Sequence, residues 1–243
     1  MTDARRAVGV LGGMGPAATI DFMAKVLLHS QAAQGDAGRE QDNVRLIVDS
    51  NPAVPDRNAA VAGTGPSPGP ALAAMAQGLA RAGATFLVMP CNAAHAFAAD
   101  VIAATPLPFV HLIEETVHAV RRDHAHVRRV GVLAVAATAD ARLYERALEP
   151  LDFTAIVPTG AARERFMEGV WAIKAGRLDS GRAIVAESAR ALVAAGADLV
   201  IAGCTEVPLV LDSDDLSVPL IDATDVLARR TVAYARGEAL PQR

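Results

Sequence analysis

Leu79-Ala-Arg-Ala-Gly-Ala-Thr-Phe-Leu-Val-Met-Pro-Cys91-Asn92 and Leu192-Val-Ala-Ala-Gly-Ala-Asp-Leu-Val-Ile-Ala-Gly-Cys204-Thr205 are one stretch of sequence written twice. Set one above the other without a gap, Leu79 falls on Leu192, Gly83 on Gly196, Ala84 on Ala197 and Cys91 on Cys204. Each copy reads as a helix end, a glycine in the C′ position, a buried strand and a cysteine at its close. Shorter matches follow in the same order. Val8-Gly-Val-Leu11 returns as Val130-Gly-Val-Leu133, and Leu112-Ile-Glu-Glu-Thr116 resembles Leu220-Ile-Asp-Ala-Thr224. The chain is a two-fold internal repeat, not a short-period solenoid.

Within each copy, short apolar runs alternate with Ala/Leu-rich stretches of helical length. Val44–Val48, Phe86–Met89, Val130–Val135 and Leu199–Ala202 lack polar alternation and suit strands buried on both faces. Ala71–Arg81 and Arg182–Ala195 are the clearest helices. Strand–helix alternation with short links gives parallel sheets and right-handed crossovers. The expected fold is therefore α/β, with two flavodoxin-like parallel-sheet halves about a pseudo-two-fold axis and the active site in the cleft between them. Gln31–Asp42 and Gly63–Pro70 read as surface loops rather than linkers. The division expected is residues 1–107 plus 217–243, carrying Cys91, against 108–216, carrying Cys204.

Composition excludes several classes of function. A formal charge of −4 gives no basis for a nucleic-acid partner. No apolar stretch reaches the roughly 18 residues of a membrane span, and Met1–Arg6 leads straight into a strand pattern, so neither a transmembrane helix nor a secretory signal is expected. Two cysteines in 243 residues are no disulfide scaffold. They also lack CxxC partners, and the histidines show no HxxxH or HExxH spacing, so no metal is expected. His124 and His126 lie in an Arg-rich helix end and turn. A cytoplasmic protein is expected.

Ligands of open parallel sheets bind beyond the C-terminal strand ends, where both cysteines stand. The bland reading of a lone cysteine is a small buried hydrophobe. Two at equivalent strand ends point instead to chemistry. Asn92 and Thr205 read as helix N-caps whose neighbouring N–H groups favour thiolate and can hold a carboxylate. Two sulfurs facing one molecule from opposite sides suit racemisation, in which a base takes a proton from one face and an acid returns one to the other.

Other residues at strand ends join this expectation. Gly9-Val-Leu-Gly-Gly-Met-Gly-Pro16 opens a helix and can bring backbone amides to a small carboxylate. It fits the dinucleotide pattern GxGxxA only weakly, because Pro16 intrudes and no acidic residue follows at the required spacing. Arg57, in a proline-rich loop after the second strand, can grip a carboxylate bidentately or be a surface residue. Lys25 reads as a solvated or snorkelling side chain, Lys174 as a substrate partner or a surface lysine. Neither of these two lysines stands in a phosphate-cradling context, which argues against pyridoxal phosphate. His95 either tunes the Cys91 thiol or is a satisfied, half-buried histidine.

Gly12-Gly-Met-Gly-Pro16, Ser50-Asn-Pro, Pro55-Asp-Arg57, Pro90-Cys-Asn92 with Ala94-His95, Gly203-Cys-Thr-Glu-Val-Pro208 and Pro219-Leu-Ile-Asp222 together resemble the aspartate/glutamate racemase family over nearly the whole chain. The resemblance implies two α/β halves, a homodimer, and neither metal nor organic cofactor. It also implies Cys91 and Cys204 as the two bases, and Asn92 and Thr205 on the α-carboxylate. Arg57 and Lys174 would hold the distal carboxylate of an acidic amino acid, with Met14, Asn51, Ala93 and Thr138 as further pocket positions. Glutamate racemases of cell-wall synthesis usually carry His where Glu206 stands. The family's usual Pro-Cys-Asn-Thr-Ala-His is Pro-Cys-Asn-Ala93-Ala-His here, without the hydroxyl expected near the substrate, and Ala136-Ala-Thr138-Ala departs from the usual Gly-Thr pattern. The alternatives are a decarboxylase or cis–trans isomerase of small diacids on the same scaffold, or a non-catalytic nucleotide- or anion-binding module. Arylmalonate decarboxylases typically keep one of the two cysteines, whereas maleate isomerases can keep both.

Overall fold

In a computed structural model, which describes residues 6–241, the two copies fold into two four-stranded parallel sheets of identical order. The Met1–Arg5 stretch and the last two residues lie outside the described part. The first half runs β1 (Val8–Gly12), α1 (Pro16–Ala32), β2 (Leu46–Ser50), α2 (Arg57–Val61), α3 (Gly69–Arg81), β3 (Phe86–Val88), α4 (Ala98–Ala104) and β4 (Phe109–Val110). After α5 (Leu112–Asp123), the second runs β5 (Arg129–Val132), α6 (Ala136–Asp140), α7 (Leu143–Leu148), β6 (Thr154–Ile156), α8 (Gly160–Lys174), α9 (Leu178–Ala194), β7 (Leu199–Ala202) and β8 (Leu220–Asp222), closed by α10 (Ala223–Ala235). The sheets are ordered β2-β1-β3-β4 and β6-β5-β7-β8, with every pairing parallel. This is the doubly wound order in which the strand after the first helix lies on one side of β1 and later strands on the other. Among the described residues no helix is long and apolar enough to cross a membrane.

Register tests the repeat residue by residue. Val8 and Val10 pair with Phe86 and Val88, as Val130 and Val132 pair with Leu199 and Ile201, so the Val-Gly-Val matches are in phase. Gly83 and Gly196 both sit at φ +92°, the left-handed conformation that ends α3 and α9 without a Cβ penalty. The match of Leu112 with Leu220 is out of phase. Leu87 and Val88 pair with Phe109 and Val110, whereas Val200 and Ile201 pair with Leu220 and Ile221, so Phe109 is the true counterpart of Leu220. Both segments are apolar, and the similar Leu-Ile pairs fall on a helix start in one half and a strand in the other.

The expected division of the chain needs two corrections. Phe109–Val110, assigned to the second unit, pairs with β3 of the first sheet. Leu220–Asp222, assigned to the first, pairs with β7 of the second. Only the last helix crosses back, α10 packing on α1 as well as on α5, while α5 packs on α7 of the other half. Lys25, expected to be solvated, pairs with Asp21 and lies 2.6 Å from Asp222, the residue that caps α10. That ion pair ties the returning helix to α1. Both apolar clusters draw on the two halves: one includes Val10, Phe86, Val130, Leu199 and Leu227, the other Leu11, Met75, Phe166 and Val185. The halves thus share their cores and face one another across the C-terminal strand ends.

Candidate active site

A cavity between the halves is lined by Met14, Arg57, Asn58, Cys91, Asn92, Ala93, Val135, Lys174, Cys204, Thr205 and Glu206. Eight of the ten residues expected at a site are among them; Asn51 and Thr138 are not. Asn51 folds onto its own loop, its Oδ1 accepting from the Ala53 N–H at 3.0 Å. Thr138 is buried in α6 with Oγ1 unpartnered. The cavity is narrow, with a volume of about 20 Å³, room for about one water.

The cysteines are free and buried, each just beyond the C-terminal end of a strand, β3 and β7. No α-helix starts directly after either cysteine. Short 3₁₀ turns, Ala93–Phe97 and Val207–Leu209, stand there, and neither Asn92 nor Thr205 caps by its side chain. The three residues of Val207–Leu209 have little dipole to offer a thiolate, whereas Ala93–Phe97 leads into α4 and presents the Ala94 N–H to Cys91. Burial instead pushes both thiols up, Cys204 well above its ordinary range. Arg57, then the Ala94 N–H, act against burial at Cys91. At Cys204 the Glu206 carboxylate acts with burial. The Cys204 S–H donates to Glu206 Oε2 at 2.9 Å, and Thr205 Oγ1 donates to the same oxygen at 3.3 Å. Lys174 Nζ lies 3.4 Å from Glu206 Oε1 and 5.3 Å above the Trp171 ring.

Arg57 is positioned by the loop that precedes it. Asp56 caps α2 by accepting from the Ala59 N–H at 2.8 Å, and Arg57 Nη1 donates to the carbonyls of Val54 and Pro55 at 3.3 and 3.0 Å. Its Nε is buried without a partner, as is Asn92 Nδ2. Asn92 Oδ1 accepts from Tyr144, which reaches across from α7 at 2.7 Å. A second cross-link runs from the Ala137 N–H to Asn58 Oδ1 at 2.9 Å. Two unpartnered donors on cavity-lining residues fit an anionic ligand, because buried donors are normally satisfied.

His95 does not face the sulfur of Cys91. Its Nε2 accepts from the Leu112 N–H at 3.0 Å, which leaves Nδ1 to donate to the Cys91 carbonyl at 2.8 Å. Burial, then His111, hold it well below the ordinary histidine range. It is a fully buried neutral clip between the cysteine turn and α5. The glycine loop likewise turns inward, the Gly13 N–H donating to Thr19 Oγ1 at 2.8 Å. Sequence reasoning missed Asn58, Val135 and the role of Glu206. The signal for Glu206 was present, since the ungapped repeat sets it on Ala93, a carboxylate against a methyl.

A profile of the Asp/Glu/hydantoin racemase family matches residues 11–231. The broad specificity amino-acid racemase RacX of Bacillus subtilis (strain 168) is 25% identical over 236 residues, 93% of this chain and 96% of that protein. Picrophilus torridus aspartate racemase superimposes with a TM-score of 0.84 at 24% identity, covering 97% of this chain and 96% of that one. Glutamate racemase of Francisella tularensis subsp. tularensis, solved with D-glutamate, gives 0.68 at 18% identity over 95% and 81% of the two chains.

Proposed function

The chain belongs to the Asp/Glu/hydantoin racemase family and is an isomerase acting on amino acids, and from that premise we propose that it racemises aspartate or glutamate by moving the Cα proton between Cys91 and Cys204. One observation carries the reading: two free cysteines at equivalent strand ends line one cavity beside two unpartnered buried donors. Asn92 Nδ2 and the Thr205 side of the cavity receive the α-carboxylate. Arg57 receives the distal one, with Lys174 at the far wall. A thiolate removes the proton from one face of Cα, and the opposing thiol supplies one to the other. Between the two steps the carbanion depends on fixed donors and on exclusion of water. A cavity of about 20 Å³ cannot hold an amino acid. A wider, substrate-admitting form of the same cavity therefore belongs to the reading.

Acidic substrates are favoured because Arg57 and Lys174 outnumber Glu206 among the charged residues lining the cavity. The test is incubation of either enantiomer of Asp, Glu and neutral amino acids in D₂O, following Cα deuterium and optical rotation. Exchange at Cα of Asp or Glu is expected; no exchange with any amino acid, together with turnover of maleate, replaces the reading with diacid isomerisation.

The working unit is a homodimer in the cytoplasm. Ile20, Leu27 and Leu28 on α1 are 67%, 48% and 62% exposed on one apolar face, an arrangement that suits a second copy. Two unpaired thiols suit a reducing compartment. A sedimentation measurement giving a monomer, unchanged by Leu27→Glu, would remove the dimer.

A further inference from the structure

We infer that Glu206 is a positioning residue that holds the Cys204 sulfur as a hydrogen-bond donor and so assigns the resting roles, Cys204 as the acid and Cys91 as the base. The inference deepens the two-cysteine reading above and rests on it for its consequence in turnover.

The geometry is one-sided. Glu206 Oε2 lies 2.9 Å from Cys204 Sγ, and both residues are buried. At that separation a carboxylate and a thiolate cannot both be charged in a water-poor site, so one proton stays between them. The contact is an S–H donating to oxygen. The same place in the first half is taken by Ala93, whose methyl group can neither hold a proton on Cys91 nor repel its thiolate.

The other groups around each sulfur keep the asymmetry. Facing Cys204 are Lys174 from α8, whose ammonium sits on the far oxygen of Glu206, and Tyr144 from α7, which burial keeps protonated. Facing Cys91 are Arg57 from α2, Lys174 and Glu206 from the other half, and the Ala94 N–H of its own turn; His95 engages only the Cys91 carbonyl. Among these charged neighbours Arg57 acts most strongly on Cys91, while Glu206 acts most strongly on Cys204. Cys91 therefore ionises first.

Turnover inherits this order. With Cys91 as thiolate, the enantiomer that presents its Cα–H to Cys91 reacts directly. Cys91 gains that proton, the electron pair left on Cα takes the proton from Cys204, and Cys204 becomes a thiolate beside Glu206. That product form resets either by converting the opposite enantiomer or by a proton moving from Cys91 to Cys204 through solvent. The racemisation equilibrium constant is one, so kcat/KM must be equal for the two enantiomers. The asymmetry shows instead as kcat and KM that differ in the same ratio.

The decisive measurement needs no substrate. Thiolate ultraviolet absorbance is titrated in full-length Cys91→Ser, which reports Cys204, and Cys204→Ser, which reports Cys91, each with and without Glu206→Gln. Cys91 is expected to titrate at lower pH than Cys204. Glu206→Gln is expected to bring the Cys204 midpoint down by about one pH unit or more and to move Cys91 less. Coincident or reversed midpoints overturn the assignment, as does a Cys204 midpoint that Glu206→Gln leaves in place. Should Glu206→Gln not fold, the order of the two midpoints in the single-cysteine chains decides alone. Failure to racemise any amino acid defeats the activity but not this charge assignment, so the two failures are distinguishable. In an active enzyme, Glu206→Gln should also lower the pH at which the alkaline limb of kcat falls and bring the two enantiomers' kcat values together.

Discussion

The turn after β3 and the turn after β7 close the two copies of one repeated stretch of sequence, yet they hold their cysteines in different ways. In the first, His95 clips the Cys91 carbonyl to the start of α5, and Ala93 faces the cavity with a methyl group. In the second, Pro208 stands in the place of His95 and Glu206 in that of Ala93, and the sulfur donates to a carboxylate. The repeat has duplicated a position but not its electrostatics. Strand register fixes where each thiol stands, and two or three neighbouring side chains decide its proton. On the proposed reading, equivalent residues at the ends of matching strands take opposite roles, and the turns that follow them differ in backbone as well as in side chains.

The severest way to break the comparison is to remove either sulfur. Cys91→Ala and Cys204→Ala should each lower the racemisation rate by about 10²–10⁴-fold. The double variant should be little worse, because the pair works as a unit. Each single variant keeps one face of the site, so Cα deuterium exchange without inversion is expected with opposite enantiomers for the two variants. Exchange with the same enantiomer in both would show that the sulfurs do not oppose one another.

The cations should be unequal as well. Arg57 has a buried Nε without a partner, whereas Lys174 already faces Glu206 and is 32% exposed at its side chain. Losing a charged hydrogen bond costs about 1.5–3 kcal/mol, so Arg57→Ala should raise KM for an acidic substrate about 10–100-fold. Lys174→Ala should raise it about fivefold or less, as expected for a half-screened pair. Steady-state kinetics on both variants checks this. A larger effect at Lys174 would move the distal carboxylate to the second half.

Packing separates the halves by a finer margin. A Cβ on Gly9 would stand 2.6 Å from Leu87 Cδ2 and 2.9 Å from Ala84 Cβ, while one on Gly131 would stand 3.1 Å from Ala197 Cβ. Gly9→Ala should therefore destabilise by about 1–3 kcal/mol and Gly131→Ala by less, measured by denaturant unfolding. Acid should find the first half first. His95 is held neutral, so the stability it contributes is full above the unfolded value of 6.5 and is lost as pH falls toward its depressed folded value. His95→Gln should flatten the fall in Tm below that pH. Pro208 gives the second turn no such dependence.

Sequence carried most of the fold because the central strands, buried on both faces, read as continuous apolar runs, and because the Ala-Gly-Ala turn repeats without a gap. By contrast β2, expected to be buried likewise, is an edge strand whose residues are only partly covered. Sequence also failed where two segments of similar composition occupy different elements, as with Leu112 and Leu220, since periodicity cannot separate a short strand from a helix start. The partners of the last strand were illegible for the same kind of reason. Nothing local in Leu220–Asp222 says which sheet edge it joins. At the site, cysteines and basic residues were legible as chemistry-bearing types. The 3₁₀ turns, the carboxylate at 2.9 Å and the inward-facing His95 depend on backbone geometry a few residues long, which residue type does not determine.

A further small effect tests one of the positions that distinguish the two turns. Ala93 is 7% exposed and lines the cavity opposite the half that carries Glu206. Ala93→Thr adds a hydroxyl able to donate to a substrate carboxylate, worth about 0.5–1.5 kcal/mol, or a roughly 2–10-fold fall in KM. It also adds a methyl group to a narrow space of about 20 Å³, and overpacking works against that gain. Ala93→Ser separates the two, since it supplies the hydroxyl without the methyl. If serine lowers KM for aspartate and threonine does not, the site has room for the bond but not for the bulk. If both lower it, the cavity opens enough in the working state to accept either. If neither does, position 93 does not meet the carboxylate.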